Sequence, residues 1–463
     1  MTLTLRNVEV AGRAGVDVRL DGGRIAEIGP RLRPDARDLD GRGGALIPGL
    51  CDHHIHLFGL AARADSVALE GVSGPAELQA RIAAALAGRP EGGWVRAIGY
   101  HEAMAGSLTR EDLDALAPRH RLRVQHQTGA LWMLNSLAIA SVGGVDDPPN
   151  VERDPRGRRT GWIWRGDAWL RTRIGAEPPP LAPIGQSLAA FGITALTDAS
   201  VTTDADAAER LAGAHRSGAL PQRLTLMSGG PLAAPDDGAF GVGPMKVLLD
   251  DHALPDFEDF VARVGRARAW GRPVAVHCVT AGELALSLAV FNAAGARSGD
   301  RIEHGGVIPT AAIPQLRALG LTVVTQSAFV RERGDRYLAQ VDPGEQADLY
   351  RCASLLAAGV PVAGSSDAPY ASPDPWIGIA TAMERRSVGG VTLGMEERIG
   401  AAAALALYLG APEAPGGKPR SVAVGAAADL CLLNRPLREV LASPCAEQVR
   451  VTIIDGRVIH DAG

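Results

Sequence analysis

Short apolar runs alternate with longer helix-patterned stretches through most of the chain. Eight runs read as strands: residues 45–57, 193–198, 223–228, 245–250, 274–279, 301–304, 321–326 and 360–367. Several are apolar at consecutive positions, as expected of strands covered on both faces. Helix-like runs at 257–269, 281–294, 311–319 and 346–358 lie between the later ones. Eight strands in alternation with helices predict an α/β fold, a (β/α)8 TIM barrel.

The two ends of the chain read differently. Residues 3–10 and 16–20 alternate polar and apolar, Asp21-Gly22-Gly23 is a turn, and 24–28 returns as a strand. Near the other end, 429–433 is an apolar strand, and 449–454 leads through Asp455-Gly456 into 457–460. One small β domain built from residues 1–47 and 415–463 is expected, flanking a barrel over 48–414. Well over a hundred residues separate the first and second barrel strands, far more than a βα connection needs. Residues 61–187 are therefore expected to be an insertion with its own structure. It has helical stretches at 75–86 and 109–116 and a proline-rich exit at 178–183. Leaving the barrel at the C-terminal end of its first strand, it is expected to cover the active site.

Composition narrows the choices. Hydrophobic residues make up 46% and aromatics 4%, so the core is aliphatic. Net charge is −5 and no basic stripe stands out, which argues against a nucleic-acid partner. No apolar run is long enough to span a bilayer. The five cysteines are scattered, with no CxxC pair, and read as reduced thiols. The first ten residues lack a signal-peptide pattern. A cytoplasmic enzyme acting on a small molecule is the expectation, with a homodimer as the default assembly.

Eleven histidines are present, and four sit at the ends of candidate barrel strands. His54 and His56 share one face of the first strand, two residues apart, while His53 points away. Two imidazoles on one face can share a metal ion. His277 closes the fifth strand, His304 the sixth and Asp367 the eighth. Catalytic groups of barrels gather at these ends. A lone histidine such as His215 or His460 is better read as packing or surface. Lys246 lies in the apolar fourth strand, where an ammonium is costly to bury. It is either a snorkelling edge lysine or, neutral or carboxylated, part of the metal site.

These residues carry a resemblance. The stretch Pro48–His56, Asn135-Ser136, the segment 153–161, Ile193–Asp198 after Gly192, Lys246, His277, Arg301–His304, the segment 364–369 and Asp374-Pro-Trp376 resemble the amidohydrolase superfamily over nearly the whole chain. The branch that includes N-substituted formamide deformylases is the most similar. The resemblance implies a β-sandwich-like terminal domain and zinc bound by His54, His56, His277, His304 and Asp367, as one or two divalent ions, with iron or manganese as alternatives. It further implies that Lys246 is a carboxylated, metal-bridging ligand. The expected reaction is cleavage of an amide or cyclic amide C–N bond by metal-activated water, with Asp367 both ligand and proton carrier. Tyr100, His101 and Trp132 of the insertion are candidate substrate contacts; Arg331 and Arg333 read as surface arginines before carboxylate binders, and Tyr370 and Trp376 either wall the pocket or simply pack. Two rivals are a deaminase of the same superfamily, which Lys246 disfavours, and a non-catalytic protein retaining the fold.

Overall fold

The apolar runs assemble into an eight-stranded parallel sheet with its strands in chain order. The structure, a computed structural model, describes residues 2–34, 38–144, 147–175 and 179–463. The strands are β1 (Leu50–Ile55), β2 (Ile193–Asp198), β3 (Arg223–Ser228), β4 (Gly241–Val247), β5 (Val274–Cys278), β6 (Arg301–His304), β7 (Thr322–Thr325) and β8 (Val362–Gly364). Every residue of β1 and β2 is buried, as strands enclosed on both faces must be. Short hydrogen bonds finish the barrel between β1 and the chain after β8. Asp367 N donates to His54 O and His56 N donates to Ala368 O, both at 2.8 Å.

The first expected strand divides in two. Leu46–Pro48 pairs antiparallel with Leu430–Leu433 of a terminal sheet, and β1 begins after Gly49. A side chain at Gly49 would meet Thr194 at 2.1 Å, so only glycine lets the chain pass this close to β2. The fourth strand starts earlier than expected and stops at Val247, leaving Leu248 half exposed. The eighth stops at Gly364, so Asp367 lies in the turn beyond it.

Both termini build β structure, in two four-stranded sheets. One holds Leu3–Val10, Arg13–Asp21, Arg24–Gly29 and Asp38–Asp40. The other holds Leu46–Pro48, Leu430–Leu433, Val449–Ile454 and Arg457–Asp461. Leu5, Val8, Val18, Leu20 and Ile25 of the first pack with Leu430, Leu432, Val451 and Ile453 of the second. The hairpin at Gly22-Gly23 has positive φ at both residues, 55° and 76°, matching the twist of its strands. These sheets and the barrel form one compact unit, residues 1–57 and 181–463.

The insertion is a second unit, residues 58–180. Both expected helices are present: Pro75–Leu86, and Arg110–Leu116 with a Thr109–Asp112 capping box. A six-stranded sheet was not foreseen. It runs, edge to edge, Val151–Arg153, Arg159–Trp164, Leu131–Leu134, Arg121–His126, Trp94–Tyr100 and Val67–Ala68. The unit also ends sooner than the expected 187. Helix Ala182–Ala190 belongs with the barrel, because its Ala189 O accepts from Thr452 Oγ1 at 2.6 Å and its Gly185 O from Gln222 Nε2 at 2.8 Å. The proline-rich exit begins at Pro178, outside the described residues.

Candidate metal centre

The C-terminal ends of the barrel strands bring the expected residues together. His54 and His56 come from the end of β1, Lys246 from β4, His277 from β5, His304 from β6 and Asp367 from the turn after β8. His54, His56 and Asp367 are the tightest group, with ligand atoms all within 4.8 Å of one another. Asp367 Oδ1 lies 3.1 Å from His56 Nε2 and 3.4 Å from His54 Nε2. The other three stand beside this triad. The His304 ring is 4.8 Å from His54 and 4.4 Å from His277, centroid to centroid. Lys246 Nζ is 3.5 Å from His54 Nε2.

Buried partners aim the imidazoles. Glu303 Oε2 is in short contact with His54 Nδ1 and accepts its hydrogen bond, which holds the proton on Nδ1 and leaves the Nε2 lone pair facing Asp367. Glu303 is itself clamped by Arg301, whose Nη2 donates to His53 O at 3.1 Å. Gln326 Oε1 accepts from His304 Nδ1 at 2.9 Å, and Ser200 Oγ lies 3.1 Å from His56 Nδ1. On β1, Asp52 shares the face of His54 and His56. It accepts from Ser366 N at 3.0 Å and Ser366 Oγ at 2.5 Å.

Strand alternation places Arg301 and Glu303 on one face of β6, which would turn His304 away. His304 instead has φ 69°, a left-handed conformation, and its ring lies beside those of His54 and His277. Asp367, at φ 55°, is similarly placed. Such backbone is costly for residues with a Cβ and concentrates at functional sites.

The electrostatics favour uncharged nitrogen. Burial, reinforced by Lys246, holds His54 well below its ordinary pKa. Burial and then Lys246 lower His277 to about 4. His304 is depressed by burial and then by His54 and His277. Burial also lowers Lys246, against the pull of Glu303 and Asp367. Neutral imidazoles around one carboxylate are the donor set of a divalent cation. Asp367 Oδ1 is buried and accepts no hydrogen bond from the described residues, although two imidazole nitrogens lie within 3.1 and 3.4 Å of it. A cation shared by these three atoms would satisfy it, so the residues fit the ion.

The candidate substrate contacts divide. Tyr100 and Trp132 are core residues of the insertion unit, each at most 2% exposed. The Tyr100 hydroxyl donates to Gly106 O, and Trp132 packs with Leu134, Ala138 and Ile163 while Arg96 and Arg123 flank its ring. Both pack within the insertion's own core, and no contact joins either to the His54–Asp367 cluster among the described residues. His101 caps a short helix, accepting from Ala103 N, and stacks on His126. Trp376 is buried with its Nε1 donating to Phe191 O. Tyr370 remains exposed, its ring 5.7 Å from His56 and edge-on to it. Asp52, Ser200, Glu303 and Gln326 escaped the sequence reading. An acid two residues before a ligand on the same strand face, or inside an apolar strand, was the available signal for Asp52 and Glu303.

With barrel, sheets and centre in view, comparison with known proteins agrees. Residues 37–460 match the model of the amidohydrolase family, and the chain belongs to that family. It is 26% identical to the N-substituted formamide deformylase of Arthrobacter pascens, over 98% of this chain and 96% of that one. It is 22% identical to the putative amidohydrolase YtcJ of Bacillus subtilis, over 92% and 91%. The fold is shared with an uncharacterized metal-dependent hydrolase of Pyrococcus horikoshii, at TM-score 0.77 and 17% identity, covering 99% of this chain and all of that one.

Proposed function

We propose that this protein hydrolyses a C–N bond in a small-molecule amide or cyclic amide, using a divalent metal held by His54, His56, His277, His304 and Asp367. The observation that carries this reading is the unsatisfied, buried Asp367 Oδ1 facing two imidazole nitrogens. When bound, such an ion supplies Lewis acidity, making water a nucleophile near neutral pH and stabilising charge on the carbonyl oxygen. The chain's own groups do the rest. Glu303 and Gln326 hold Nδ1 of His54 and of His304, and for His54 this turns the Nε2 lone pair to Asp367. Asp367 takes a proton from the attacking water in this reading and returns it to the departing nitrogen. Lys246 would hold a metal only if carboxylated, when it would offer the ion an oxygen donor; as an ammonium it would offer none. Zinc suits the imidazole-rich set, with iron or manganese the alternatives.

The formamide relative supplies the first substrate to try. Release of formate from N-formyl-2-phenylethylamine, and ring opening of a hydantoin, are measured on metal-loaded protein. Wild type is expected to turn over at least one. Asp367→Asn is expected to fall by about 10²–10⁴-fold, the usual loss of a general acid–base group. Full activity in Asp367→Asn with metal retained would overturn the assignment.

A further inference from the structure

A cavity of about 360 Å³ opens at the end of the barrel opposite the histidine cluster. Its walls come from the N-terminal ends of neighbouring strands. Arg223 begins β3, Gly241 begins β4, Pro273 immediately precedes β5 and Arg301 begins β6. Lys246, His277 and His304 lie toward the other ends of β4, β5 and β6. Barrels ordinarily close the N-terminal end with packed side chains, and residues there serve stability. A cavity of this size falls instead in the range of small-molecule sites, roughly 300–1,000 Å³.

Gly241 helps to keep the space open. Its φ is not positive, and a Cβ there would meet nothing closer than Thr225 Oγ1 at 3.8 Å, an ordinary contact with another wall residue. Neither backbone nor neighbours require glycine at this position. Two residues on they do, since a Cβ at Gly243 would lie 3.0 Å from Thr225 Cγ2 and 3.3 Å from Leu226 O. Glycine in a strand costs stability and often marks a place where a ligand comes close.

Arg301 gives the cavity its chemistry. It is 1% exposed, yet it lines the space. Glu303 holds its Nε and His53 O its Nη2, which fixes the plane of the guanidinium. Nη1 has no acceptor among the described residues. A donor left unpaired in so buried a side chain is costly, and an anion in the cavity would satisfy it. Exposed Arg223 adds a second guanidinium, held through Nε and Nη2 by Asp429. Glu413 is the one acid on the wall, and it is exposed. Much of the remaining wall is apolar, with Leu224 and Val242 among it.

We propose that this cavity is a second binding site of the protein, for a small organic carboxylate, with the carboxylate on Arg301 and the apolar body against the starts of β3 and β4. The site stands apart from the hydrolase reading and does not rest on it. A guanidinium already fixed by two partners loses little freedom when the ligand arrives.

Calorimetry on zinc-loaded protein with benzoate and with benzamide, its uncharged counterpart, tests the proposal. Benzoate is expected to bind with a Kd on the order of 0.1 mM, and benzamide about tenfold or more weakly. Gly241→Leu fills the cavity from the end of β4 remote from Lys246. It is expected to weaken benzoate by about tenfold or more while zinc affinity and thermal unfolding hold. Arg301→Lys keeps the charge without the planar fork and is expected to raise Kd by about fivefold. In Asp367→Asn, which alters the metal cluster alone, benzoate is expected to bind within about twofold of wild type. No binding of benzoate to wild type, or equal binding of benzamide, overturns the proposal. So does a Kd unchanged in Gly241→Leu, which would put benzoate at the metal or on the surface. Inorganic phosphate binding more tightly than benzoate would overturn the class of ligand. If Arg301→Lys does not fold, the benzamide comparison and Gly241→Leu still decide.

Discussion

Asp52 and Ser366 join the two ends of the barrel: both the hydroxyl and the backbone N–H of Ser366 donate to the Asp52 carboxylate, at 2.5 and 3.0 Å. The bond bridges β1 to the turn after β8, and so carries His54 and His56 on one side and Asp367 on the other. Both partners are buried. Ser366→Ala deletes the hydroxyl and leaves part of a buried carboxylate unsatisfied. A loss of about 1.5–3 kcal/mol is expected in urea unfolding, together with weaker metal binding. Unchanged stability and affinity would show that the backbone bonds close the seam alone.

Glu303 holds Nδ1 of His54, a residue of the proposed metal site. Replacing it by Gln keeps the shape but weakens its hold on Nδ1, and strips Arg301 of its counter-charge. Zinc affinity is expected to fall by about 10–100-fold, the usual consequence of losing a carboxylate behind a metal-binding histidine. Competition against a calibrated chelator measures it, with circular dichroism confirming the fold.

How far could these relations be read in advance? That His54 and His56 share a face was legible because strand geometry has a period of two; the pair alone was modest evidence, and His277, His304 and Asp367 closing later strands gave it weight. The hairpins at Gly22-Gly23 and Asp455-Gly456 were legible from turn chemistry. Glu303 was not, since nothing local says that an acid on β6 reaches a histidine on β1. Alternation alone would have placed His304 outward, and only its left-handed backbone corrects that. The insertion's sheet escaped although Trp94–Tyr100 and Arg121–His126 partly alternate, because its edge strands Val67–Ala68 and Val151–Arg153 are only two and three residues long. Tyr100 and Trp132 could not be assigned from sequence, because pocket and core favour the same side chains.

Gly49 offers a test of the passage from terminal sheet to barrel. A methyl group there would lie 2.1 Å from Thr194 Cγ2, far inside contact distance. Gly49→Ala is expected to cost about 1–3 kcal/mol through overpacking. Thr194→Ala should relieve part of that cost, appearing as a coupling energy in the double-mutant cycle. Strict additivity would mean that the chain shifts away without strain.

Acid sensitivity should appear in the terminal sheets. Burial pushes Asp17 up, but the backbone N–H of Asn7, the Arg6 guanidinium and the N–H of Leu32 outweigh it and hold its carboxyl below the ordinary aspartate range. A depressed folded pKa contributes stability that is present above the unfolded value and lost as pH falls through the folded one. The stability gap between wild type and Asp17→Asn is therefore expected to be full at neutral pH and to shrink below about pH 4, near the unfolded aspartate value. A gap that grows with acid would contradict this.

The central claim is that hydrolysis depends on a metal ion at the cluster of His54, His56 and Asp367. The most direct measurement is the rate of amide hydrolysis as zinc is titrated into protein stripped by a chelator. Activity is expected to be absent at the start, to rise with added zinc, and to saturate at about one or two ions per chain. Hydrolysis undiminished in the stripped protein would contradict the account, as would a chain that binds no zinc at all.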